Sequence, residues 1–546
     1  MSETAHFRRS PDDVMRLSRM GSFHPSRLSF MQTLLRRLER EKWSFERRLF
    51  QIDARGVGEA IYTVHGPDRA YSLIAFGHDL PDEMRSDRVI ATAWDATFAL
   101  FDGIPQPADI RRLSAQVPLQ EAGRISEREL CLSRANRSAR LFNHVVDSLA
   151  AGRQPDAGQV RSVGYLMRTT AVYGSGKFGA ADRSDIADRA ELRGPFQAEM
   201  LTVWLIRAFV LDLVEHMARL KGGDAAVSLE PGLRRSLGIG NSTGLGMAPF
   251  LVNHPILLNN WMLVREEALA RVRAQSDATD DAIRRFQDGL HAARENAAIW
   301  QSDHPLQQQK LSDLRGDLDQ IATRTLDGQD HPWNRLWVWG QENLHFEGQE
   351  ALASLLIDAH PELVDGLSDC MDADEDRGFR IDGSMTVARL MGILQSNYHW
   401  ALDQDYDAPQ GQARFWYVSE EKLEPRLGER FEEPGADYEQ PLAVGRDAKR
   451  LYQSLSDWDG SETLSEFLLA HPEHRHMVRR AQRSVRYPFS EIHDNLIAAD
   501  MLPIDMLRCK LSFFGATRFD PRSDRWVRIC MYQDAPFPNE LLESTT

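Results

Sequence analysis

The sequence predicts a predominantly helical α+β protein, with an N-terminal helix and small antiparallel sheet, a central helical bundle and a C-terminal mixed α/β segment. Three observations lead there. An amphipathic stripe lies near the start, short β-branched and aromatic runs follow it, and helical periodicity dominates from about residue 133 to residue 360. The expected division is an α+β unit over 1–105, a helical region over 106–405 and a mixed region over 406–546, which could pack on the N-terminal sheet.

The opening helix is read over Pro25 to Lys42, where Leu28, Met31, Leu34, Leu35 and Leu38 share one stripe. Four strands are expected next, at Trp43 to Ile52, Ala60 to Val64, Tyr71 to Phe76 and Val89 to Phe101. The connections Ala54 to Gly58 and His65 to Arg69 are too short for parallel crossovers and favour hairpins. Helices are then expected near 136–151, 159–170, 195–220, 248–275, 282–300 and 305–325. Beyond residue 407 a strand at Arg414 to Val418 precedes an acidic surface excursion over Glu424 to Gly445. Helices over 447–456 and 463–485 and strands over 511–518 and 525–532 complete the reading.

A chain of 546 residues can bury a large core without disulfides or structural metal. Its 42% hydrophobic and 27% charged content is that of a globular protein. The formal net charge of −16 opposes attraction to phosphate backbones, so nucleic acid is not an expected partner. No apolar run approaches the roughly 20 residues of a membrane span, since Leu201 to Val214 is broken by Arg207 and Asp212. Four scattered cysteines without a C-x-x-C pair and an N-terminus unlike a secretory signal point to a reducing, cytoplasmic location. Only seven of the 65 basic residues are lysine, a skew attributed to a GC-rich bacterial genome.

Two glycine-rich segments carry the functional expectation. Gly238 to Phe250 contains four glycines with Asn241, Ser242 and Thr243, and reads as a turn leading into a helix with Pro249 in its first turn. Glycines permit close backbone approach, and the free N–H groups of a helix start suit an anion. A Rossmann reading is excluded because Leu233 to Leu237 look helical and no strand feeds the turn. In the second segment, Tyr173 to Gly179, Ala171 and Phe178 stand where a P-loop needs Gly and Ser or Thr. There Tyr173 and Lys177 could form an acid/base pair, with Arg168 on the last turn of a preceding helix.

The expected substrate-binding residues are therefore Arg168, Lys177, Asn241, Ser242, Thr243 and Gly244. Tyr173, His254 and His399 are the expected proton carriers. His345 and His399 sit among aromatics and amides, suiting a packed core or a base. The triad His471, His474 and His476 does not share one helical face, and Asp372, Asp374 and Asp376 lack the turn glycine of a calcium loop, so no metal site is expected. No cofactor is identified by motif. The sequence thus reads as an enzyme acting on a small carboxylate- or phosphate-bearing metabolite by lyase-type proton transfer, with self-association into a homo-oligomer compatible. The alternative is a non-catalytic scaffold that binds partner proteins through its helical surface and the Trp333 to Trp339 aromatics.

Overall fold

Ser29 starts the first long helix, Phe30–Arg40, by accepting a hydrogen bond from the Gln32 amide, and Leu34 and Leu38 on its inner stripe are fully buried. The computed structural model describes residues 5–81, 83, 93–118, 126–169, 188–243, 254–302, 305–326, 330–371, 379–406, 414–418, 423–427, 437–439, 444–493, 503–520 and 527–544. The chain divides into a sheet unit, Ser29–Ser242 with Phe514–Phe519 and Arg528–Thr546, and a helical unit, Met1–Leu28 with Thr243–Phe513 and Asp520–Val527.

The strands are β1 (Ser44–Ile52), β2 (Gly58–His65), β3 (Ala70–Gly77), β4 (Ala96–Asp102), β5 (Glu129–Arg137), β6 (Tyr165–Thr169), β7 (Gly238–Thr243), β8 (Arg414–Val418), β9 (Leu423–Leu427), β10 (Asp437–Glu439), β11 (Ala516–Asp520), β12 (Val527–Met531) and β13 (Glu543–Ser544). Ten of them form one mixed sheet in the order β11-β12-β7-β6-β5-β4-β3-β2-β1-β13. Neighbours from β1 to β6 are antiparallel, whereas β6 with β7 and β1 with β13 are parallel. The β1–β2 hairpin turns where Asp53 Oδ1 accepts from the amides of Arg55 and Val57, each at 2.9 Å, and Gly56 takes a φ of 84°.

The expected small antiparallel sheet is therefore corrected to a large mixed one, because two strands lie where the sequence predicts helix and a third where it predicts a turn. Within 159–170, the helix Ala157–Val163 stops at Gly164, whose φ of 77° only glycine adopts readily, and β6 follows. Strand β5 runs through residues 129–137, where the helical reading began. The glycine-rich Gly238–Thr243 is itself strand β7 rather than a turn. Period-2 alternation is weak in these strands because the sheet is covered on both faces. On one face lies the helix Gln197–Gly222, with Phe209 against Tyr62 and Phe98. On the other, Ile61, Ile74, Phe76, Ala99, Phe101 and Leu132 pack with Leu113 and Val117 of the helix Pro107–Gln116 and its cap.

The C-terminal residues are fixed to the long helix. Arg207 is buried and donates to the carbonyls of Leu237 (2.7 Å), Arg235 (3.1 Å) and Ala535 (2.8 Å), while lying 3.8 Å over the Phe537 ring. Burial pushes its guanidinium down to about 9. Trp204 donates to Pro536 O and Tyr532 to Met200 O. The segment expected as a strand over 511–518 is helix Pro503–Phe514, then Gly515 at φ 85°, then β11.

In the helical unit, Pro255–Arg273, Asp280–Ile299, Pro305–Ala322, Pro332–Asn343 and Phe346–Asp358 pack together around Trp261, Trp333 and Trp337, all fully buried. A buried ionic cluster joins the N-terminal segment to two of them. Glu350 pairs with Arg9 (2.7 Å), Arg19 (3.2 Å) and Arg265, and Arg9 also pairs with Glu266 (2.8 Å). A second core gathers Leu390, Leu394, Leu451, Phe467, Val478 and Ala481 from helices Val387–Asn397, Val444–Ser456, Leu464–Ala470 and Arg475–Ser484, with Tyr398 from the C-cap of the first. Strands β10, β8 and β9 form a separate antiparallel sheet. No helix among the described residues is long and apolar enough to cross a membrane.

Candidate functional site

Polar side chains converge at one end of the large sheet, where β3 and β5 finish and β4 and β6 begin. Antiparallel pairing sets Gly77 opposite Ala96, Ala96 opposite Ala135, and Ala135 opposite Thr169. On β5, Leu132 belongs to the buried face under the Pro107–Gln116 helix, so alternation puts Arg134 and Asn136 on that same face. Thr97 pairs directly with Arg134, and Arg168 pairs directly with Asn136. Arg134 and Arg168 are thus diagonal neighbours, about 7–8 Å apart at Cα.

Four further groups frame the two guanidiniums. His78 Nε2 lies 3.0 Å from Thr97 Oγ1, and its amide donates to Asp95 O. Burial holds the imidazole below its ordinary value, against the opposing pull of Asp95. Arg134 stacks 4.1 Å over the Trp94 ring, and desolvation lowers it to about 10. Asn136 accepts from the Asp95 amide and donates to Ala93 O, while the Asp95 carboxylate accepts from the Arg137 amide at 2.9 Å. On the opposite face Ser133 and Thr169 hydroxyls meet at 2.7 Å. Two arginines beside a neutral imidazole suit a carboxylate or phosphate more than a cation.

The structure distributes the expected site residues. Arg168 is buried on strand β6, not on a helix. Asn241 is buried on β7, where its amide donates to Thr169 O at 2.8 Å and ties β7 to β6. Ser242 and Thr243 follow on β7. Tyr173, Lys177, Gly244 and Pro249 lie outside the described residues. His254 is an exposed residue before the helix Pro255–Arg273, and its carbonyl accepts from the Leu258 amide. His399 is exposed, with Nδ1 3.2 Å from Ser396 O and Nε2 3.6 Å from Asp12. His254 and His399 belong to the helical unit, whereas Arg168, Asn241 and Ser242 belong to the sheet unit.

The described glycines of β7 serve packing. A Cβ on Gly238 would stand 2.2 Å from Met531 O, and one on Gly240 would stand 2.5 Å from the Tyr165 ring. Neither has a positive φ. Sequence reading missed His78, Thr97, Arg134 and Asn136, because adjacent Ser133 and Arg134 break the period-2 alternation that marks a strand face. Among the described residues no three His, Cys, Asp or Glu side chains converge in a metal-binding arrangement. Comparison with protein-family models, curated proteins and solved structures finds no match to the chain.

Proposed function

We propose that the chain is a cytoplasmic enzyme that binds a small carboxylate- or phosphate-bearing metabolite at this end of the sheet and acts on it by proton transfer. The observation that carries the reading is the diagonal pair Arg134 and Arg168 on one sheet face of a chain that is acidic overall. Guanidinium groups form charge-assisted, bidentate hydrogen bonds with carboxylates and phosphates, so two of them on one face favour an anionic ligand. His78, held neutral by burial, supplies a base rather than a further cation. The Thr97 hydroxyl fixes one ring nitrogen and so orients the other.

Of the tryptophans the scaffold alternative invokes, Trp333 and Trp337 are fully buried and Trp339 is partly exposed. The test is a thermal-shift and calorimetric screen with inorganic phosphate and a panel of di- and tricarboxylates. A ligand at 100 times its dissociation constant stabilises by about 2.7 kcal/mol, a readily measured shift. Arg134→Gln should weaken binding at least tenfold with an unchanged circular dichroism spectrum, and His78→Asn should retain binding. Affinity unchanged by Arg134→Gln, or no stabilising anion in the panel, overturns the assignment.

A further inference from the structure

The helical unit carries a groove of about 650 Å³ between the Leu464–Ala470 helix, the Arg475–Ser484 helix and residues 379–383. That volume lies within the range of small-molecule sites. Its walls are of two kinds. Phe379, Ile381, Leu468 and Leu469 are apolar, while Arg380, Arg475 and Arg479 are cationic. Ile381 and Leu468 rest on the second core, and Leu469, 85% exposed, extends their apolar surface to the rim of the groove.

The frame is held before any ligand arrives. The Ser465 amide and hydroxyl both donate to Gly383 O, at 2.9 and 3.0 Å, and the Leu464 amide donates to Met385 O. Arg479 Nε donates to Phe379 O at 3.1 Å. A side chain at position 383 would meet Ser465 Oγ at 2.2 Å, so Gly383 allows the two segments to close together.

Among the described residues, the carboxylates nearest in sequence are committed to local turns and caps. Asp382 accepts from the Ser384 amide and hydroxyl, Glu466 from the Thr463 amide and hydroxyl, and Glu473 lies 3.2 Å from His471 Nδ1. Arg380 and Arg475 form no ion pair among the described residues. Apolar surface and uncommitted guanidinium charge therefore share one concavity, and a single occupant satisfies both. We propose that this groove binds a small, soluble amphiphilic carboxylate, its head held by Arg380 and Arg475 and its hydrocarbon body laid against Phe379, Leu468 and Leu469. Charge complementarity selects the anion, and the contiguous apolar wall of Phe379, Ile381, Leu468 and Leu469 selects the apolar body.

The probe is decanoate below its micelle-forming concentration, titrated calorimetrically into the full chain, with decan-1-ol and acetate as body-only and head-only controls. Decanoate should bind at one site, at least tenfold more tightly than either control. The double variant Arg380→Gln with Arg475→Gln, and separately Leu469→Ser, should each weaken decanoate at least tenfold; all three residues are exposed, so the fold should survive, as circular dichroism checks. Decan-1-ol binding as tightly as decanoate, insensitivity to both variants, or binding to phosphatidylglycerol vesicles in place of decanoate would each overturn the proposal.

Discussion

Replacing Glu350 by Gln should destabilise the helical unit more than any exposed charge substitution. The Glu350 carboxylate is fully buried and meets Arg9, Arg19 and Arg265, and Arg9 is shared with Glu266. Breaking one side of such a cluster leaves buried guanidiniums uncompensated, at a cost of about 3–5 kcal/mol. A second route gives the same size. The three arginines oppose the large desolvation cost of burial and draw the carboxyl from 4.5 down to about 2, and a difference of that size corresponds to about 3 kcal/mol. Because the folded value is depressed, this stability is present above pH 4.5 and is lost as pH falls through about 2.

The assay is thermal unfolding of wild type and Glu350→Gln at pH 7 and at pH 3. For a unit of roughly 300 residues, 1 kcal/mol moves the midpoint by roughly 1.5 °C, so the variant should melt about 5–8 °C lower at pH 7. The difference should narrow in acid. Glu350→Leu with Arg9→Met should recover part of the loss, since apolar pairs replace buried ions well. A shift below about 2 °C at pH 7, or one that does not shrink in acid, would falsify the reasoning.

Two further outcomes follow from the packing. Gly238→Ala should cost on the order of 1–3 kcal/mol, read by chemical denaturation, because its methyl meets the Met531 carbonyl oxygen at 2.2 Å; an unchanged midpoint would show that β12 moves aside freely. His345 should titrate above its ordinary 6.5 by NMR, because Asp317 accepts from its Nδ1 at 3.1 Å and from its amide at 2.9 Å, and Asp317→Asn should bring it back; an unaltered titration contradicts that coupling.

The parts of the fold legible in the sequence were those whose signal is local. Strands β1 to β4 alternate or carry β-branched and aromatic runs, and short polar turns separate them. The stripe of Leu34 and Leu38 marked the first helix. Strands β5 and β6 escaped because burial on both faces removes alternation. Strand β7 escaped for another reason: Gly238 and Gly240 resemble loop residues, yet they are required by Met531 and Tyr165, which are distant in sequence. The same non-locality governs the candidate site. Arg168 and Asn241 drew notice beside glycines, but Arg134, Asn136 and His78 become neighbours of Arg168 only through strand pairing.

The large sheet closes with strands from the far end of the chain, β12 beside β7 and β13 beside β1. During synthesis roughly 270 residues pass between the completion of β7 and the appearance of β11. At 5–20 residues per second that interval lasts on the order of tens of seconds. Throughout it the β1 and β7 edges stand without their final neighbours, and such edges recruit other nascent chains. Arg47 and Arg48 on β1, with the irregular pairing there, protect one edge by charge and distortion. The glycine-rich β7 edge carries no charged side chain over Gly238–Thr243, so it is the edge more open to pairing with another chain until β12 is made.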